Sequence, residues 1–155
     1  MKTSVLRAGA AGIVAMVVIA AYSADDGTSG RSMTITAIED AQFAPLDPRR
    51  PQGAQMAVLW GDPDSGPSST LLRLNESVSA VHVHSADYHG VVLEGTIQHW
   101  AQGQSQTQAK LLRPGSHWFQ PGNVAHSDAC LTDRCLLYVQ WAGRRDGRLA
   151  EAAQQ

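Results

Sequence analysis

Glycine and proline cut the middle of this chain into runs too short for helices. Gly61-Asp62-Pro63-Asp64-Ser65-Gly66-Pro67, Glu94-Gly95, Pro114-Gly115 and Pro121-Gly122-Asn123 are turn signals. Between them, strands are read at Met33–Ile38, Ala54–Trp60, Leu71–Leu74, Val78–His84, Tyr88–Leu93, Thr96–Ala101, Ala109–Leu112, His117–Gln120 and Cys135–Trp141. Phe43–Gly53 carries three prolines and reads as an extended arm. Short strands spaced by roughly 8–12 residues, with Gly and Pro turns between them, predict an all-β sandwich or barrel. No 3.6-residue apolar period persists long enough for a core helix.

The first residues are set apart from that fold. Lys2 and Arg7 precede an uncharged stretch, Ala8–Ser23, rich in Ala, Ile, Val and Met, with Ala21 and Ser23 at the small-residue positions of a cleavage site. This is the layout of a secretory signal peptide, and the stretch is shorter than a membrane-spanning helix requires. The expected organisation is a leader at 1–23, a flexible polar segment at 24–32, a β-barrel domain at 33–143 and a polar C-terminal tail at 144–155. Removing Lys2 and Arg7 from twelve basic residues leaves ten against fourteen acidic ones, a net charge of about −4. Lys110 is then the one lysine left. That balance provides no basic stripe for nucleic acid, and no later segment is apolar enough for a membrane. The expected location is periplasmic or extracellular.

Cys130 and Cys135 are the two cysteines, separated by Leu-Thr-Asp-Arg. In an oxidising compartment they are expected to pair, as neighbours across a four-residue hairpin loop at a separation that a disulfide bridges.

All six histidines fall between positions 82 and 126. His82 and His84 stand at i and i+2, so on a strand both rings leave from one face. His126 follows the Pro121-Gly122 turn, which can swing a third imidazole toward them. Imidazole is the commonest metal ligand at neutral pH. His99 and His117 read as pocket-lining or surface residues, and Trp100, Trp118, Phe119 and Trp141 as core or pocket wall.

The same residues resemble the motifs of the cupin superfamily. The first motif, G-x5-H-x-H-x3/4-E-x6-G, is matched with Glu76 at the first glycine, then His82-x-His84, Tyr88 and Gly95. The second, G-x5-P-x-G-x2-H-x3-N, is matched by Gly115, Pro121 and His126, with Cys130 in place of Asn. Phe43-Ala-Pro-Leu-Asp-Pro, Val58-Leu-Trp-Gly-Asp-Pro and Ser85–Gly95 further resemble a bacterial branch of single-domain cupins. The resemblance implies a double-stranded β-helix, or jelly-roll barrel, and one divalent transition metal held by His82, His84 and His126. Zn, Fe, Mn, Ni and Cu all suit such ligands.

The slot that holds a glutamate in the family stays open between three residues. Strict counting puts Tyr88 there, the longer gap puts His89 there on better ligand chemistry, and Asp87 restores a carboxylate if the loop bulges. The resemblance implies a metal-dependent enzyme, dioxygenase-, isomerase- or hydrolase-like, acting on a small molecule in the barrel, and a homodimer. The alternative is a non-catalytic binding or sensing module in which the metal is structural or absent. Neither a Ser-His-Asp order nor a phosphate loop offers a second chemistry.

Overall fold

Antiparallel ladders account for nearly all the regular structure of this computed structural model, which describes residues 32–150. The expected leader, most of the flexible segment and the last five residues lie outside the described residues. The compact unit containing the strands begins at Ile35. Its strands are β1 (Ala44–Pro45), β2 (Gln55–Gly61), β3 (Ser68–Val78), β4 (His82–Val83), β5 (Tyr88–Glu94), β6 (Ile97–Ala101), β7 (His117–Gln120), β8 (His126–Trp141) and β9 (Arg148–Leu149). Among the described residues the helical content is two 3-10 turns, Ile38–Asp40 and Gln106–Gln108.

β8 organises the sheet. Along β3 it pairs from Ser68↔Trp141 to Val78↔Ala129, while its other edge takes β6 at one end (Ile97↔Cys130 to Ala101↔His126) and β5 at the other (Tyr88↔Trp141 to Glu94↔Leu136). β5 also pairs with β7, β2 with β3, and β4 with both β8 and β9. A sheet whose strands curl back on a shared partner closes over one interior. This is the all-β class that the turn spacing predicts, in the jelly-roll form that the cupin resemblance implies. The interior is filled by alternate residues of β5 and β8: Tyr88, Val92, Leu137, Val139 and Trp141, with Ile97 and the two cysteines completing the core. The period-two pattern explains the choice, since successive strand side chains leave from opposite faces.

Five expectations are corrected. Ala109–Leu112 forms no strand, only an isolated bridge from Leu112 to Ile97. Met33–Ile38 forms no strand: its alternation finds no partner ladder, Met33 and Ile35 are exposed, and Ile38 opens a 3-10 turn. Leu71–Leu74 and the first residue of Val78–His84 belong to one strand, β3, with a break at 79–81 before β4. Cys130 and Cys135 are joined by a disulfide, yet not across a hairpin. Both lie on β8, facing β3 through Ser77↔Cys130 and Leu74↔Cys135, and the exposed residues between them are looped out as a bulge. The polar Leu-Thr-Asp-Arg run looks like a turn in sequence because a bulge and a turn share the same solvated composition. Finally, 144–150 is not a free tail: β9 pairs with β4, and the Ala150 N–H donates to the Val81 carbonyl at 3.0 Å.

Gly95 shows why this position is a glycine. Its φ is +81°, and a Cβ there would lie 2.5 Å from the Arg134 carbonyl oxygen and 2.8 Å from Cys135 Sγ. A left-handed backbone costs a residue with a Cβ about 1–2 kcal/mol, and overpacking adds about 1–3 kcal/mol. Gly95→Ala is therefore expected to lower the unfolding free energy in a urea titration by roughly 2–3 kcal/mol. A change below about 0.5 kcal/mol, the scatter of neutral surface substitutions, would contradict this packing.

Candidate metal centre

Three strand-end positions bring the imidazoles together. His82 and His126 are direct partners in the β4–β8 ladder, which sets their ring centroids 4.3 Å apart. His84 follows β4 by one residue and shares the face of His82, at a centroid distance of 5.1 Å from it and 5.5 Å from His126. One ring nitrogen from each lies within 4.8 Å of the others. His126 is fully buried and His84 nearly so.

The turn before His126 is clamped from several sides. The Asp87 carboxylate accepts from the Gly122 N–H at 2.7 Å, and the His84 carbonyl accepts from the Asn123 N–H at 2.7 Å. Asn123 has φ +60°, and a Cβ at Gly122 would run into the Ser85 carbonyl. The Pro121-Gly122-Asn123 turn thus swings His126 inward and ties it to the segment carrying His84.

The hydrogen bonds of the three rings decide their tautomers. His82 Nδ1 faces the Ala80 carbonyl at 2.9 Å, His126 Nδ1 faces the Val124 carbonyl at 3.1 Å, and His84 Nδ1 faces the Asp146 carbonyl. A carbonyl oxygen only accepts, so each Nδ1 carries the proton and donates it. Each Nε2 is left with its lone pair. This is the arrangement that outer partners impose on metal-binding histidines. Burial keeps two of the rings neutral as well: it lowers the His84 pKa and takes that of His126 down to about 4.

The three residues weighed for the family's glutamate slot separate cleanly. Tyr88 points inward, and its hydroxyl donates to His126 Nε2 at 3.0 Å. Burial pushes its phenol well above the usual range, so it holds its proton and acts as a donor. His89 is corrected: as the next residue of β5 it leaves from the opposite face, exposed, with its Nδ1 3.0 Å from His117 Nε2. Asp87 is corrected too, because its carboxylate is committed to the turn amide.

Asp128 was missed by the sequence reading. It lies two residues after His126 on β8, which puts both on one face; that spacing was the available signal. Its Oδ2 lies 3.7 Å from His82 Nε2, and its Oδ1 is 2.6 Å from His99 Nδ1. Together His99, His126 and Asp128 form a second group compact enough for an ion. Hydrogen bonding argues against that group. The Gln120 amide nitrogen donates to the Pro121 and Val124 carbonyls, so its Oε1 must accept, and His99 Nε2 donates to it at 2.8 Å. His99 Nδ1 donates to the carboxylate, so both ring nitrogens are protonated. Burial pushes the His99 pKa down, but the Asp128 carboxylate outweighs it and the net shift is upward. Burial likewise raises Asp128, and the His99 hydrogen bond with the surrounding imidazoles brings it below the usual carboxylate value. This is an ion pair with no lone pair to offer at His99. The donors of His82, His84 and His126 fit a metal; those of the second group do not.

The cluster opens into a cavity of about 900 Å3, lined on its apolar side by Leu72, Leu74, Leu137, Val139 and Trp141.

A family model described as "Domain of unknown function (DUF4437)" matches residues 34–147. No curated protein matches the chain. Solved structures do. KdgF from Halomonas sp. is 20% identical, with a TM-score of 0.59 over 74% of this chain and 97% of that one. An RmlC-like cupin from Shewanella frigidimarina NCIMB 400 is 20% identical, with a TM-score of 0.56 over 74% and 96%. The polyketide cyclase RemF from Streptomyces resistomycificus is 18% identical, with a TM-score of 0.60 over 79% and 89%. These likenesses show the fold, which is that of the cupins.

Proposed function

The chain belongs to the DUF4437 family, a cupin-like domain family, and from that premise we propose that it binds one divalent transition metal through His82, His84 and His126 and acts on a small molecule in the adjoining cavity. One observation carries this reading: three Nδ1–H groups are held by backbone carbonyls, which leaves each Nε2 a lone pair, that of His126 accepting from the Tyr88 hydroxyl, and one ring nitrogen of each residue lies within 4.8 Å of the others. Cupin-fold neighbours include enzymes, among them a polyketide cyclase. A bound metal supplies Lewis-acid polarisation at a small-molecule oxygen. The chain's own residues supply the rest. Tyr88 holds a proton at its phenol oxygen beside the cluster, the apolar wall excludes water, and the His99–Asp128 pair fixes the charge behind His82.

Reconstitution with Fe, Mn, Ni, Zn or Cu, followed by elemental analysis, is expected to give one ion per chain. Turnover is expected with at least one of these metals on a panel of phenols, sugars and keto-acids. A binding role without turnover is favoured by one feature, the commitment of Asp128, the carboxylate nearest the imidazole cluster, to His99. Ligand-induced thermal stabilisation with no product would select it.

Metal affinity carries a pH signature. Protons compete with metal for imidazole nitrogen, and the depressed pKa values of His84 and His126 postpone that competition. Affinity is expected to fall as pH drops below the ordinary imidazole range and to steepen toward pH 4, where His126 takes up its proton. Zinc binding at pH 3.5 as tight as at pH 7.5 would rule out these ligands.

Export through the 1–23 leader belongs to the same proposal. The Cys130–Cys135 disulfide supports an oxidising compartment, and the N-terminal sequence of the protein recovered outside the cytoplasm tests it. Exposed Val58 and Trp60 on β2 support a homodimer, which light scattering reads directly.

A further inference from the structure

Four arginines line the cavity beside the imidazoles: Arg49, Arg50, Arg145 and Arg148. Arg49 and Arg50 both bond to the Asp47 carboxylate, so their charge is locally answered. Arg145 is different. Its backbone N–H donates to the Pro63 carbonyl at 2.7 Å, which fixes the residue over the turn between β2 and β3. Its guanidinium makes no hydrogen bond or ion pair with any described residue, although it is only partly exposed. Asp64 and Asp146 attract it from beyond ion-pair reach, and burial holds its pKa below the ordinary arginine value.

The neighbouring carboxylate is already engaged. Asp146 Oδ1 accepts from the Ser85 N–H at 2.8 Å, while the Asp146 carbonyl holds His84. The segment 143–147 therefore crosses beside His84, with Gly143 packed near Ala86 and Gly147 near the His84 ring. Arg145 stands within that crossing, close enough for its charge to act on His84.

A partly buried guanidinium without a partner is a costly arrangement unless something answers it. Its planar fork of donors matches a carboxylate in two parallel hydrogen bonds. Arg148 is exposed, so water answers its charge; the one partly buried, unanswered charge calls for one negative charge, and the leucine and valine wall calls for an apolar body.

We propose that Arg145 anchors the carboxylate of a small monoanionic organic acid whose apolar body lies against Leu72, Leu74, Leu137 and Val139. The inference rests on the reading above for the cavity's being the ligand site, and it adds the ligand's chemical class.

The test is titration of the full chain with hexanoate, hexanamide and inorganic phosphate, followed by amide chemical shifts, with zinc stoichiometry measured on the same preparations. Hexanoate is expected to bind saturably and to shift the amides of Asp146 and Gly147, with hexanamide and phosphate at least about tenfold weaker. Arg145→Gln is expected to weaken hexanoate about 10- to 100-fold, the range for a hydrogen bond to a charged group. Arg145→Lys keeps the charge without the fork and is expected to fall between; it serves as the test if Arg145→Gln does not fold. Equal binding of hexanoate and hexanamide, or unchanged hexanoate affinity in both variants, would overturn the proposal. Phosphate binding as tight as hexanoate and dependent on Arg145 would overturn the carboxylate assignment. One zinc per chain with no hexanoate binding would sink this inference alone. Arg145-dependent hexanoate binding with no zinc would sink the metal reading and support this one.

Discussion

A chain carrying both His84→Ala and His126→Ala will fail to hold the ion that the parent binds at one per chain. Tetrahedral zinc sites in small domains are stabilised by roughly 10–16 kcal/mol from four ligands. Each imidazole is then worth about 3 kcal/mol, and each single replacement should cost more than about 100-fold in affinity. Losing two of three leaves His82 alone, with its Nδ1 held by Ala80 and its Nε2 near Asp128. The fold should survive, because removing a buried neutral imidazole also removes the cost of burying it. His126 makes one side-chain bond to a carbonyl and one to Tyr88; Tyr88 then loses its acceptor, a penalty of about 1–3 kcal/mol. Far-ultraviolet circular dichroism checks folding, and elemental analysis after dialysis reads the metal. Full occupancy in the folded double variant would place the ion elsewhere. The exposed His89–His117 pair is the natural alternative, its nitrogens 3.0 Å apart on the outer face, and His89→Ala with His117→Ala tells the two apart.

Trp141→Ala is expected to cost the fold about 3–5 kcal/mol, the range for truncating a buried large aromatic. Trp141 is 3% exposed and stands where β8 is flanked by β3 and β5, opposite Ser68 on one side and Tyr88 on the other. Its indole N–H donates to Thr70 Oγ1 at 3.1 Å, and Thr70 is itself fully buried. The substitution therefore leaves a cavity and an unpaired hydroxyl together. For a domain of this size the midpoint should fall by roughly 10–20 °C. The ring also packs against the site, 5.0 Å from His84 and 4.7 Å from Tyr88 by centroids. Loss of that wall should loosen His84 and weaken zinc binding as well. A midpoint shift under about 3 °C would mean that this end of the sheet carries little of the core's stability.

Local chemistry explains what was readable in advance. His82 and His84 share a face because strand geometry has a period of two, and the Pro121-Gly122-Asn123 turn returns His126 because only a few backbone conformations suit those residues. Ligand chemistry favours His89 and motif counting favours Tyr88, and the alternation of β5 decides between them: Tyr88 is buried and His89 exposed. Asp128 obeys the same period, but the cupin motifs mark their carboxylate in the first motif and leave this position of β8 unmarked. The bulge between Cys130 and Cys135 was read as a hairpin because looped-out residues and turn residues are both solvated, and only the ladder to β3 tells them apart.

By itself the amino-acid order determined the all-β class, the spacing that puts His82, His84 and His126 within reach of one another, and the turn at Glu94-Gly95. Those follow from short-range sterics and strand periodicity. Tertiary structure alone decided which nitrogen each imidazole offers, since the carbonyls of Ala80, Val124 and Asp146 set the tautomers. It also decided that 143–150 crosses beside His84 and leaves the Arg145 guanidinium in the cavity without a partner among the described residues. A polar segment carries no periodic apolar signal, so its place is chosen by hydrogen bonds to strands distant in the chain, which local pattern does not encode.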